Sequence, residues 1–102
     1  MTAVTFHPSA RAELDASADF YEARLNGLGL RFLDAVEETT RRIAELPDAG
    51  APLAGGFRKR LVAGFPFSVI YRAGRNEIYL VAIAHQHRRP GYWRRRRPSG
   101  AR

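Results

Sequence analysis

The spacing of apolar residues changes once along this chain, and the change falls on a segment rich in Pro and Gly. Before it, Ala10, Leu14, Ala18, Tyr21 and Leu25 recur at intervals of four or three, the period of a helix with one buried face. Pro8 suits the first helical position, with His7 or Ser9 near the cap. Asn26-Gly27 interrupts the run, after which Leu28, Phe32, Leu33, Val36, Ile43 and Leu46 resume it, with Glu37, Glu38, Arg41 and Arg42 on the outer side. Pro47 ends it. A break this short makes the two helices fold back as an antiparallel hairpin. Residues 47–56, with three Gly and two Pro, read as a loop.

Beyond that loop the period is two. Phe57 to Val62 starts as alternating basic and apolar residues, Phe67 to Tyr71 is β-branched and aromatic, and Ile78 to Ala84 is a nearly continuous apolar run. That last run predicts a central strand covered on both faces. Ala73-Gly74-Arg75-Asn76 predicts the hairpin that joins it to its predecessor, and Val4 to Phe6 a short first strand. The expected order is β-α-α-β-β-β, an α+β fold with a helical hairpin on a small antiparallel sheet. At 102 residues the chain is one domain's worth, with a domain expected over 1–93 and a basic, flexible tail over 94–102.

Charge is distributed unevenly. Residues 1–48 hold five Arg against nine Asp or Glu, whereas residues 49–102 hold twelve basic residues against one acid, Glu77. Sixteen of the seventeen basic residues are Arg, Lys59 being the exception. Such asymmetry suits nucleic acid, a phosphate-rich assembly or an acidic protein partner. The chain has no Cys, which excludes disulfides, thiolate metal sites and a cysteine nucleophile, and fits a reducing, cytoplasmic setting. The start has neither the basic nor the apolar region of a signal peptide, and no stretch approaches the ~20 apolar residues of a membrane helix. Gly55-Gly56 lacks the context of a phosphate-binding loop, and no acid pair converges among Glu13, Glu22, Glu37, Glu38 and Glu77. Neither a cofactor nor a metal is expected.

Three clusters are candidates for function. Arg58, Lys59 and Arg60 open the second of the four expected strands, Arg58 and Arg60 on one face and Lys59 on the other. His85-Gln86-His87 ends the last strand and runs into Arg88 and Arg89; His85 reads as a strand cap and His87 as exposed. Pro90-Gly91-Tyr92-Trp93 is a turn with two aromatics, followed by Arg94, Arg95, Arg96 and Arg97. There Trp93 either stacks on a base or, as a lone Trp in a small domain, anchors the segment to the sheet.

These pieces, in order, resemble the RelE/ParE superfamily of toxins from type II toxin–antitoxin systems, most closely its ParE-like, plasmid-stabilisation branch. The resemblance runs through Val4-Thr5-Phe6-His7-Pro8 with Ala10, Glu13 and Leu14, through Phe20-Tyr21-Glu22, and through Gly29-Leu30-Arg31-Phe32-Leu33 with Val36-Glu37. It continues through Ile43, Leu46-Pro47, Phe57-Arg58, Phe65-Pro66-Phe67, Val69-Ile70-Tyr71-Arg72, Val81 to His85 and Arg88 to Trp93. It implies the same fold, a cognate antitoxin with an acidic, partly disordered segment, and one of two targets. ParE-like members are similar to poisons of DNA gyrase; RelE-like members resemble ribosome-dependent mRNA endoribonucleases. Where the RelE-like enzymes carry a basic residue in the third strand this chain has Ser68, which favours gyrase. An endoribonuclease would have the reduced set Arg58, His87, Arg88 and Tyr92. Target or antitoxin binding would fall to Arg58, Arg60, Arg88, Arg89, Tyr92, Trp93, Arg94 and Arg95. A third reading is a non-toxic, basic nucleic-acid-binding module.

Overall fold

His7 shows why the first helix starts where it does. Its Nδ1 accepts a hydrogen bond from the Ser9 N–H at 3.0 Å, and Pro8 fills the first helical position, where no N–H is needed. In this computed structural model, which describes residues 2–98, strand β1 (Ala3–Phe6) leads through His7 into helix α1 (Pro8–Arg24). Helix α2 (Leu28–Glu45) follows, then a 3-10 turn (Pro47–Ala49) and four strands: β2 (Ala51–Leu53), β3 (Phe57–Leu61), β4 (Phe67–Gly74) and β5 (Glu77–His85).

The helical hairpin turns at Gly27, whose φ of 87° lies in the left-handed region. Gly27 has no side chain to cap α2, so Glu22 from α1 does it, accepting from the N–H groups of Gly27 at 2.9 Å and Gly29 at 3.0 Å. Gly29 also lets the helices touch, since a Cβ there would lie 2.6 Å from the Ala18 carbonyl oxygen. Leu25 and Leu46, which continue the apolar period, sit just past the helix ends in non-helical conformations and are exposed.

The five strands lie in the order β1-β5-β4-β3-β2. The pairings of β3 with β4 and of β4 with β5 are antiparallel as expected, β2 adds a third antiparallel pairing, and β1 runs parallel to β5, so the sheet is mixed. The long route through two helices permits that parallel return, and side-chain alternation alone carries no information on strand direction. Strand β2 lies within the segment read as a loop. It pairs Ala51, Pro52 and Leu53 with Lys59, Arg58 and Phe57 at the sheet edge, the place where a strand tolerates Pro.

The helices cover one face of the sheet, over a core that includes Leu14, Phe32, Val36, Ile43, Val69, Tyr71 and Leu80. A second, smaller core on the other face holds Phe57, Ile70, Val81, Ala82 and Trp93. Strand β5 serves both through a bulge: Ile70 pairs with Ala82 and Tyr71 with Leu80, leaving Val81 over. Ile78, Leu80 and Ile83 therefore join the helix-side core while Val81 and Ala82 join the other. That division is why the sequence of β5 shows no alternation.

Candidate functional site

Strand β1 pairs with β5 only as far as Phe6 and Leu80, which leaves the second half of β5 without a strand neighbour on that edge. Side chains take the place of the missing strand. Glu13 of α1 accepts the Ile83 N–H through Oε1 at 3.0 Å, and Arg96 donates from Nη1 to the Val81 carbonyl at 3.0 Å. The two also pair with each other through two parallel hydrogen bonds of 3.0 and 2.8 Å, both side chains less than a fifth exposed. The Tyr92 hydroxyl donates to Glu13 Oε2 at 2.9 Å. Burial, then the hydrogen bond and charge of Glu13, push the Tyr92 phenol up to about 12, so it stays protonated at neutral pH. The bond to Glu13 also raises the pKa of Arg96, which remains a cation.

This cluster fixes the C-terminal segment on the face away from the helices. Trp93 is 5% exposed and meets Phe57 edge-on, with ring centroids 4.7 Å apart. The Tyr79 hydroxyl donates to the Arg97 carbonyl at 3.0 Å. Arg94 and Arg95 are exposed, Arg96 is partly buried, and residues 99–102 of the expected tail lie outside the described residues. A groove of about 200 Å³ runs along this segment, walled by Lys59, Ser68, Ile70, Arg88, Arg89 and Arg94 among others. Beside it, between α1 and the end of β5, a cleft of about 370 Å³ has Phe20, Tyr21, Phe67 and Ile83 against Glu13, His85 and Arg88.

The expected site residues divide between the two faces. Arg58 pairs with Tyr71 and Arg60 with Val69, and both partners belong to the helix-side core. Arg58 donates from Nη1 to the carbonyls of Asp48 at 3.0 Å and Gly50 at 2.8 Å. The Tyr71 hydroxyl joins the same turn, donating to the Pro47 carbonyl at 2.6 Å. Arg58 thus braces the turn after α2 and lies across the sheet from Arg89, Tyr92, Trp93 and Arg94, while Arg88 at the end of β5 borders both the groove and the helix-side cleft. Lys59, which alternates to the other face, lies in the groove with them. The guanidinium of Arg88 stacks 3.8 Å from the centroid of the Tyr92 ring. His85 caps the strand end by accepting the His87 N–H at 3.0 Å, and His87 is exposed. No group of three or more His, Cys, Asp or Glu among the described residues is placed to hold a metal ion.

Glu13 is the residue that sequence reasoning missed, having counted it only among acids that do not converge. One signal was available: it stands three positions after Ala10 and directly before Leu14, on the shoulder of the buried stripe. A carboxylate in that place needs a partner.

A family model described as the ParE toxin of the type II toxin–antitoxin system parDE matches residues 4–90. The chain belongs to the ParE toxin family. It is similar in structure to a solved structure titled "Chromosomal ParDE TA system from P. aeruginosa", with a TM-score of 0.60 and 25% sequence identity, over 83% of this chain and 96% of that one. No match is found among curated protein sequences. The family match spans β1 to Pro90, so the Glu13 pocket on α1 and β5 falls within it, while the docked segment Tyr92 to Arg97 lies beyond. This ParE-type toxin of a type II toxin–antitoxin system therefore has an antitoxin as its implied partner.

Proposed function

We propose that this ParE-type toxin arrests growth in the cytoplasm by poisoning DNA gyrase through a basic binding surface, and that its antitoxin neutralises it with an acidic segment. The observation that carries this reading is the division of the four residues an endoribonuclease would need. Arg58 lies on the helix side of the sheet, bound to main-chain carbonyls of the turn after α2, while Tyr92 lines the groove on the other face and Arg88 stacks on its ring at the end of β5. Tyr92 is engaged as a donor to Glu13 and stays protonated, which ill suits a general base. Cleavage by 2′-hydroxyl attack needs cations and proton-transfer groups that converge on one phosphate. A poison that traps an enzyme's cleaved-DNA intermediate needs only a complementary surface, and the Arg-rich groove on the outer face offers one.

What fails first after induction in cells tests the reading. Gyrase poisoning predicts DNA breaks, an SOS response and filamentous cells while translation continues. An immediate stop in protein synthesis with codon-phased cuts in mRNA, lost in Arg88→Ala, would overturn it in favour of ribosome-dependent cleavage.

A further inference from the structure

Next to the groove of Lys59, Arg88 and Arg89 lies a second cleft of about 360 Å³, lined by Ala54, Gly55, Phe57, Arg72, Arg94 and Arg97. Three arginines line it together. None of the ion pairs among the described residues involves Arg72, Arg94 or Arg97. Arg72 is held in place: it stacks 4.1 Å from the centroid of the Phe57 ring and donates from Nη2 to the Gly55 carbonyl at 2.6 Å. Glycines make room for the guanidiniums. A Cβ on Gly56 would lie 3.0 Å from Arg72 Nη1, and one on Gly91 would lie 2.8 Å from Arg94 Nε. Arg97 is tied back to the carbonyls of Arg94 and Arg96.

We propose that Arg72, Arg94 and Arg97 form a site for backbone phosphates of a nucleic-acid strand. Three guanidinium forks lining one cleft suit the tetrahedral oxygens of a phosphate, and like charges left unpaired in one cleft are stabilised by an anion between them. Arg94 lines both this cleft and the groove, and Phe57 and Lys59 are successive residues on this face of β3. The cations therefore continue as a line across the face, which fits a polymer rather than a lone anion. An acidic peptide that folds on binding would need apolar anchors, and the aromatic of this cleft, Phe57, is 4% exposed beneath Arg72. The site supplies the DNA contact of a gyrase poison and rests on that reading for its setting, but strand binding is measurable with no gyrase present.

The test is fluorescence anisotropy of a labelled twenty-nucleotide oligo-dT titrated with the full-length toxin at several salt concentrations. Wild type is expected to bind with a steep salt dependence. Arg72→Gln/Arg94→Gln/Arg97→Gln should weaken binding about tenfold or more and flatten the slope of log K against log salt by roughly 0.7 for each phosphate no longer neutralised. Arg11→Gln, on an exposed face of α1, should change neither by more than about twofold. Arg94→Gln alone, at a position where the arginine donates no side-chain hydrogen bond among the described residues, keeps the test valid if the triple variant misfolds. Four results would overturn the site: no strand binding, unchanged binding in the variants, an equal loss in the Arg11 control, or a greater loss for a poly-Glu peptide than for the strand. Strand binding that depends on these arginines, with no effect on gyrase, would keep the site and remove the gyrase reading. Gyrase trapping by wild type with strand binding unchanged in the triple variant would do the reverse.

Discussion

Glu13 spends both carboxylate oxygens on four donors: the Ile83 N–H, the Tyr92 hydroxyl and two nitrogens of Arg96. Removing it leaves a partly buried guanidinium, a phenol and a strand N–H without their acceptor, the costly way to break an ion pair. Glu13→Ala should lower unfolding free energy by about 3 kcal/mol in urea denaturation. Arg96→Ala should cost a similar amount, and the double variant about 4 kcal/mol rather than their sum, a coupling of about 2 kcal/mol. Additive losses would show that the two residues act separately. His7 offers a prediction of another kind. Burial, then the charge of Arg96, lower its pKa below the usual 6.5, and its cap to Ser9 needs an unprotonated Nδ1. The unfolded chain therefore takes up this proton before the folded one does. The cap's stabilisation is intact above about pH 6.5 and is lost as the pH falls through the lower folded value. His7→Asn, which caps through an oxygen that does not titrate, should flatten the stability profile below about pH 6.5. Parallel profiles for the two proteins would contradict this.

At the scale of elements, the C-terminal segment acts as a cover for the second core. Trp93 is its largest anchor, and Trp93→Ala should cost about 3 kcal/mol, read as a lowered melting temperature. Unchanged melting would mean that the indole is not buried in solution. The elements that sequence reading found carry a local signal: the periodic helices α1 and α2, the alternating start of β3, the β-branched and aromatic β4, the apolar run of β5, the short β1, and the breaks at Gly27 and Pro47. The elements it missed are set by partners far along the chain. Strand β2 is three residues of edge pairing inside a Pro- and Gly-rich stretch, and only β3 opposite makes it a strand. The parallel sense of β1 is fixed by where the helical hairpin delivers the chain. The sequence did indicate that Arg58 and Lys59 alternate, but not which of them faces the helices. That depends on registers such as Arg58 with Tyr71. The Glu13 and Arg96 bond, 83 positions apart, leaves no local pattern at all.

For the whole molecule, the uneven charge governs association. The second half of the chain holds twelve basic residues against one acid, and Lys59, Arg72, Arg88, Arg89, Arg94 and Arg97 line the groove and cleft beside the C-terminal segment. Binding of an acidic antitoxin segment should therefore be fast at low salt and slow markedly between about 50 and 500 mM, with the change in the association rate rather than the dissociation rate. Stopped-flow kinetics would read this, and a salt-independent association rate would contradict it. Arg94→Ala and Arg95→Ala should each reduce the slope by a modest amount, whereas Arg96→Ala should act through stability, since its charge is already matched by Glu13. The gyrase reading is tested most directly with purified gyrase, supercoiled plasmid and the purified toxin, counting the linear DNA released after detergent and protease treatment. Linear DNA that rises with toxin dose, and disappears when antitoxin is added first, is the predicted result. No linear DNA above the level seen with gyrase alone, from toxin that arrests growth in cells, would contradict it.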